Sequence, residues 1–200
     1  METPDTIFQS VDILLASKSP RRSQLMQMAA IPFRLAAIKN VEEKYPDTLS
    51  ADDVPGYLSQ IKAAAYKLDL TSRQVVVTAD TVVILHGTIL GKPHNADDAF
   101  RMLTMLSGNK HKVVTGVTLM AASKSISFSV ESEVEFGPLT QEQIRYYVDT
   151  YKPFDKAGAY GIQEWIGAVG IKGINGSYYN VMGLPIHRLY YELIRFIADI

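Results

Sequence analysis

Two rhythms of apolar and polar positions run along this chain, one near two residues and one near 3.6, and they predict strands and helices in turn. Ile13 to Ala16 reads as a short apolar strand. Ser19 and Pro20 suit the cap and first position of a helix over 20–30. Phe33 to Ile38 can form a second strand, and the polar stretch 39–53, broken by Pro46, is irregular. Pro55 starts a helix in which Leu58, Ile61, Ala65 and Leu68 share one face. Residues 75–85, VVVTADTVVIL, form a β-rich run interrupted by Thr78-Ala79-Asp80-Thr81. His86-Gly87 then makes a two-residue hairpin turn, with Thr88 to Leu90 returning.

Asn95 caps a helix with Asp97 and Asp98 in its first turn, Phe100, Leu103 and Leu106 facing inward, and Gly108 at its end. Residues 112–121 and 125–136 read as a longer strand pair, and Thr140 caps a short helix. A glycine-rich stretch over 156–183 leads to a closing amphipathic helix with Ile186, Leu189, Leu193 and Phe196 on one face. The alternation of strand and helix predicts an α/β fold. No repeat or linker stands out, so one domain over 1–200 is expected, with length enough for two closely joined lobes.

Composition narrows the class. The chain is 47% hydrophobic and 20% charged, with a net charge of −1. That balance argues against a general nucleic-acid or membrane-surface binder, which needs a broad cationic footprint. With no cysteine, disulfides and thiolate chemistry are excluded. The first ten residues, METPDTIFQS, do not resemble a secretion signal, and no apolar stretch approaches a bilayer's span. The expected setting is the cytosol.

Candidate chemistry gathers at a few places. Arg21 and Arg22 occupy helix positions where the dipole favours acids, so an anion such as phosphate is one guest that would suit them. The other reading is a pair splayed into solvent or bridged to acids elsewhere. Asp80 intrudes on an apolar run, where an unpaired carboxylate is costly. It is either a strand-end acid bonded to nearby N–H groups, or a general base or magnesium ligand. Lys92 lies in Gly91-Lys92-Pro93, and Lys62 sits beside its helix's apolar face, where snorkelling is the plainer explanation. Glu42 and Glu43 are loop acids, one of which could reach a divalent metal. Gln163, in a loop with two nearby glycines, could read a base edge or serve structure alone. The histidines at 86, 94, 111 and 187 show no metal-ligand spacing, and neither GxxxxGK[ST] nor GxGxxG occurs.

The segments LASKSPRR (15–22), ADTVV (79–83), GKP (91–93), LSGNKHKVVTGV (106–117), DKAGAYGIQ (155–163) and GSYYNVMGLP (176–185) stand in an order that resembles the Maf family of nucleoside triphosphate pyrophosphatases. The resemblance covers nearly the whole chain. It implies a central mixed, elongated β-sheet flanked by helices, with two lobes and a substrate cleft between them. It also implies a metal-dependent reaction in which water attacks the α-phosphorus, releasing a nucleoside monophosphate and pyrophosphate.

By the same resemblance, Ser17, Arg21 and Arg22 look like the phosphate-binding start, Lys62 and Lys92 like lysines that neutralise the triphosphate, and Asp80 like the general base. Thr81, Arg21 and Gln163 match specificity positions, and Glu43, with Asp80, looks like a holder of Mg²⁺ or Mn²⁺. Where the family often shows Asp-Glu, this chain has Glu42-Glu43; glutamate is longer, so Glu42 need not share a metal shell with Glu43. The AYGIQ form is similar to the branch acting on dTTP and UTP, including modified pyrimidine nucleotides, whereas a sister branch prefers 7-methyl-GTP. A non-catalytic nucleotide-binding regulator of cell division is the rival from another class. The resemblance also suggests a homodimer, and the aromatics at Tyr146, Tyr147, Tyr190 and Tyr191 are candidates for its interface or for core packing.

Overall fold

The computed structural model describes residues 4–200; Met1 to Thr3, where the amino-terminal reading begins, lie outside them. In chain order the elements are α1 (Pro4–Gln9), β1 (Asp12–Leu15), α2 (Pro20–Met28), β2 (Arg34–Leu35), α3 (Val54–Ala64), β3 (Gln74–Leu85), β4 (Thr88–Leu90) and α4 (Ala96–Leu106). Then follow β5 (Lys110–Met120), β6 (Ser125–Phe136), α5 (Gln141–Tyr151), α6 (Trp165–Gly170), β7 (Ile171–Asn175), α7 (Tyr178–Met182) and α8 (Ile186–Ala198). The strands form one seven-stranded mixed sheet in the order β2-β1-β3-β5-β6-β7, with β4 paired to β3. The α/β class is therefore as expected. The chain divides into two compact units: residues 1–80, 115–130 and 183–200 in the first, and 81–114 and 131–182 in the second.

In the first unit β1 runs parallel to both neighbours, with Leu15 opposite Leu35 on β2 and opposite Val77 on β3. Parallel neighbours are buried on both faces, which accounts for the continuous apolar run Val75-Val76-Val77. The strand expected over 33–38 shrinks to two residues, because Leu35 and Ile38 point to solvent rather than to a core. The helix after Pro55 also ends sooner. It stops at Ala64, and Leu68 is 97% exposed in the following turns. Its buried side is Val54, Pro55, Leu58, Ser59 and Ala63 instead, so a serine lies where the apolar pattern looked for Ile61. The closing helix α8 matches its periodicity, with Leu189, Leu193 and Phe196 all buried.

The second unit has its own core, built from Val83, Leu85, Leu103, Leu106, Phe136, Tyr147, Tyr160 and Ile166 among others. His86 and Gly87, both with positive φ, close the β3–β4 hairpin that pairs Leu85 with Thr88. Asn95 caps α4 by accepting from the Asp98 N–H at 2.9 Å, and Thr140 with Gln143 forms a reciprocal cap on α5. The stretch 156–183 is not a plain loop: it folds into a 3-10 turn at Ala157–Ala159, then α6, β7 and α7. Tyr147 is fully buried, which removes it from the interface candidates; Tyr146 and Tyr191 are exposed, and Tyr190 packs edge-on to Phe8 in the first unit.

His111 is 3% exposed, with Nε2 2.8 Å from the Tyr160 hydroxyl. Burial pushes its pKa down to about 4. The unfolded imidazole, with a pKa near 6.5, takes up a proton that the folded one refuses until about pH 4. Stability from this group is thus present above about pH 6.5 and lost as pH falls towards about 4, by up to about 3 kcal/mol. Urea denaturation of the wild type and of His111→Phe at pH 7 and pH 4.5 should show a smaller acid loss in the variant. Equal losses would clear His111 of this effect.

Candidate active site

The first turn after β1 sets two arginines in place. Ala16 extends the pairing with β3 through its N–H on Val77 O at 2.9 Å, and then the chain turns. Ser17 Oγ accepts the Ser19 N–H at 3.2 Å, a local side-chain-to-backbone bond that steadies the turn. Ser19 sits at the cap position with extended backbone, but its own hydroxyl makes no capping bond. The helix that follows ends at Met28, two residues short of the expected 30.

Arg22 is tied into the fold at several points. Its Nε donates to Gly183 O at 2.7 Å, and its Nη1 donates to Ala79 O at 2.7 Å and to Ser17 Oγ at 3.3 Å. One planar fork therefore joins the turn before α2, the strand segment next to Asp80 and the chain before α8. Burial lowers the Arg22 pKa from its ordinary value; Asp80 opposes this, Arg21 adds to it, and Glu43 opposes it more weakly. The guanidinium nevertheless stays charged. A lysine has a single ammonium and cannot span both carbonyls. Arg22→Lys should cost about 1–3 kcal/mol in urea denaturation; a loss below about 0.5 kcal/mol would contradict the tethering role.

Asp80 lies inside an unbroken strand rather than at an interruption, and its partner is a lysine rather than backbone N–H groups. Strand alternation puts Thr78 and Asp80 on one face of β3, while helix spacing puts Ser59 and Lys62 on one face of α3. These faces meet in two rungs. The Thr78 hydroxyl donates to Ser59 O at 2.7 Å, and Lys62 Nζ donates to Asp80 Oδ1 at 2.6 Å. Ser59 Oγ is also 2.8 Å from Thr118 Oγ1 on β5, which is in turn 2.8 Å from Ser127 Oγ on β6.

The helix can come this close because Gly116 on β5 has no side chain: a Cβ there would stand 2.3 Å from Gly56 N and from Pro55 C. Lys62 also reaches Glu43 Oε1 at 3.0 Å, so its ammonium serves two carboxylates rather than snorkelling to water. Asp80 and Lys62 are 15% and 20% exposed, enough shelter to strengthen the pair while leaving it reachable. Glu42 turns away to pair with Lys44 in an exposed contact.

The first unit therefore brings together Ser17, Arg22, Glu43, Lys62 and Asp80, with Arg21 close enough to act on the Arg22 charge. Ser59, Thr78 and Thr118 build this site without having been expected. Their one signal in the sequence is a serine three residues before Lys62 on a helix face otherwise apolar. Among the described residues no group of three or more His, Asp or Glu side chains forms a ready metal cage. Two hard oxygen donors meeting at one ammonium do fit magnesium or manganese, which use one or two carboxylates and complete their shell with phosphate and water.

Thr81, Lys92 and Gln163 belong to the second unit. Thr81 is half-buried and follows Asp80 along β3. Lys92 is exposed just beyond β4, and the preceding Gly91 O accepts the Gly158 N–H at 3.0 Å. Gln163 is exposed in the turn before α6, at a groove of about 430 Å³ also lined by Ile162, Ala168, Ile174 and Tyr178.

Comparison with known proteins gives this geometry a context. The sequence profile of the family described as Maf-like protein matches residues 12–196. A protein of Phocaeicola vulgatus named dTTP/UTP pyrophosphatase is 52% identical over 181 residues, covering 90% of this chain and 94% of the relative. One of the same name from Cytophaga hutchinsonii is 51% identical over 184 residues, covering 92% and 84%. Among solved structures, a HAM1 protein from Coxiella burnetii is similar with a TM-score of 0.50 at 16% identity, covering 92% of this chain and 99% of that one. The last likeness is one of fold.

Proposed function

The chain belongs to the Maf family, and from that premise we propose that it hydrolyses dTTP and UTP to the nucleoside monophosphate and pyrophosphate. Relatives about half identical over nine-tenths of the chain carry that activity in their names. The observation that carries the reading is the carboxylate–ammonium–carboxylate group Asp80–Lys62–Glu43 beside an arginine-bearing helix start.

Arg21, Arg22, Lys62 and Lys92 take the triphosphate charge, with the Ser17 hydroxyl at the same turn. Asp80 orients the attacking water and accepts its proton as the bond to the α-phosphorus forms. The cations stabilise charge on the departing pyrophosphate, the largest kind of contribution in phosphoryl chemistry. Asp80 and Glu43 are the residues that would hold Mg²⁺ or Mn²⁺, which when bound supplies further neutralisation of phosphate charge. Gln163 and Thr81, with Arg21, select the nucleobase. A regulator that only senses nucleotides would have no use for a carboxylate held against a lysine at the triphosphate.

We also place the protein in the cytoplasm as a homodimer, clearing non-standard nucleotides from the pool, with no nucleic-acid partner. Among the described residues no helix is long and apolar enough to cross a membrane. A panel of dTTP, UTP, GTP and 7-methyl-GTP, read by pyrophosphate release with Mg²⁺ or Mn²⁺, tests the activity. Pyrophosphate from dTTP and UTP well ahead of the purines is expected. Binding without product, or a purine preference, would overturn the reading.

A further inference from the structure

The loop carrying Gln163 is anchored from within the second unit by three polar side chains that the proposed chemistry does not use. Lys156 is only 8% exposed. Its Nζ lies 3.1 Å from Glu164 Oε1 and 2.7 Å from Asp155 Oδ1. The other Glu164 oxygen, Oε2, accepts from the Tyr147 hydroxyl. That same hydroxyl accepts the Gly161 N–H at 3.0 Å. Burial first, and Glu164 second, raise the Tyr147 pKa, so the phenol stays a donor. A Cβ on Gly161 would stand 2.8 Å from the Glu164 Cδ, so the carboxylate packs on bare backbone.

Gln163 lies between Gly161 and Glu164, and both are bonded to Tyr147. The start of the loop is fixed as well. Gly158, with φ of +67° against Val83, donates its N–H to Gly91 O next to Lys92. A sheltered lysine–glutamate pair adds little net stability, because lost hydration offsets the attraction. Its benefit is geometric. An amide that reads a base edge must be held to within roughly 0.5 Å, which loops seldom achieve unaided.

We propose that Tyr147, Glu164 and Lys156 are positioning residues that hold the Gln163 amide for a pyrimidine edge and so set the nucleobase preference. This rests on the dTTP/UTP reading above. The three act through Gln163 and touch no reacting atom.

Tyr147→Phe keeps the ring and removes the hydroxyl. The ratio of kcat/KM for dTTP to that for GTP should fall at least about tenfold, chiefly through a higher KM for dTTP. Backbone hydrogen exchange should quicken in residues 155–164 and stay unchanged in 54–64. A merely structural role would slow every nucleotide in parallel and leave the ratio alone. That result, or unaltered exchange in 155–164, overturns the proposal. Glu164→Gln, which keeps shape but removes the charge facing Lys156, should move both readings the same way, and it decides the matter if Tyr147→Phe does not fold. A wild type releasing no pyrophosphate from dTTP would sink the functional reading, while the exchange measurement would still judge the anchoring.

Discussion

Asp80→Asn is expected to lower pyrophosphate release from dTTP at least about a hundredfold, the scale for losing a positioned general base. The substitution is nearly isosteric. The asparagine oxygen can still accept from Lys62 Nζ, which now donates to Asp80 Oδ1 at 2.6 Å. The second rung, Thr78 on Ser59 O, is untouched. What disappears is the basic carboxylate and its charge. Nucleotide affinity should change far less, because the cations proposed to take the triphosphate charge remain. Turnover at saturating dTTP, with folding checked by circular dichroism, separates the two effects. Near-normal turnover in a folded variant would remove Asp80 from its role.

Gly116→Ala is expected to destabilise the protein by about 3 kcal/mol or more, at the upper end of overpacking in a close-packed interior. The added methyl would meet main-chain atoms: Gly56 N and Pro55 C at 2.3 Å and Pro55 O at 2.4 Å. No rotamer change can relieve a clash with backbone, so α3 must move off β5. Ser59 and Thr118 would then separate, and Lys62, one turn further along α3, would leave Asp80. Urea denaturation should therefore show a large midpoint shift, and the remaining folded fraction should turn over dTTP slowly. A loss below about 1 kcal/mol with full activity would show that α3 is not seated through this contact.

How much of this was legible depended on range along the chain. The helices α4 and α8 and the β3–β4 hairpin were readable because caps, turn residues and apolar period act locally. The glycine-rich stretch 156–183 concealed three short elements, since five or six residues carry too little period to register. Leu68 misled because apolar spacing continued after the helix had ended in turns.

At the site, motif order singles out Arg22, Lys62 and Asp80, but not their partnership. Lys62 and Asp80 are 18 residues apart, and Arg22 and Gly183 are 161 apart. Such pairs are created by the sheet's topology and leave no periodic trace. Asp80 looked like an interruption only because the lysine that neutralises it lies on another element. Tyr146 and Tyr147 are adjacent and chemically alike, yet one is exposed and the other fully buried, a difference that residue type does not carry.

In the proposed reaction, water attacks the α-phosphorus under the direction of Asp80. Hydrolysis of dTTP in ¹⁸O-labelled water, with products separated and weighed by mass spectrometry, tests this most directly. One heavy oxygen in the nucleoside monophosphate, with unlabelled pyrophosphate, is the predicted result. Label in the pyrophosphate, or release of inorganic phosphate in its place, would contradict it.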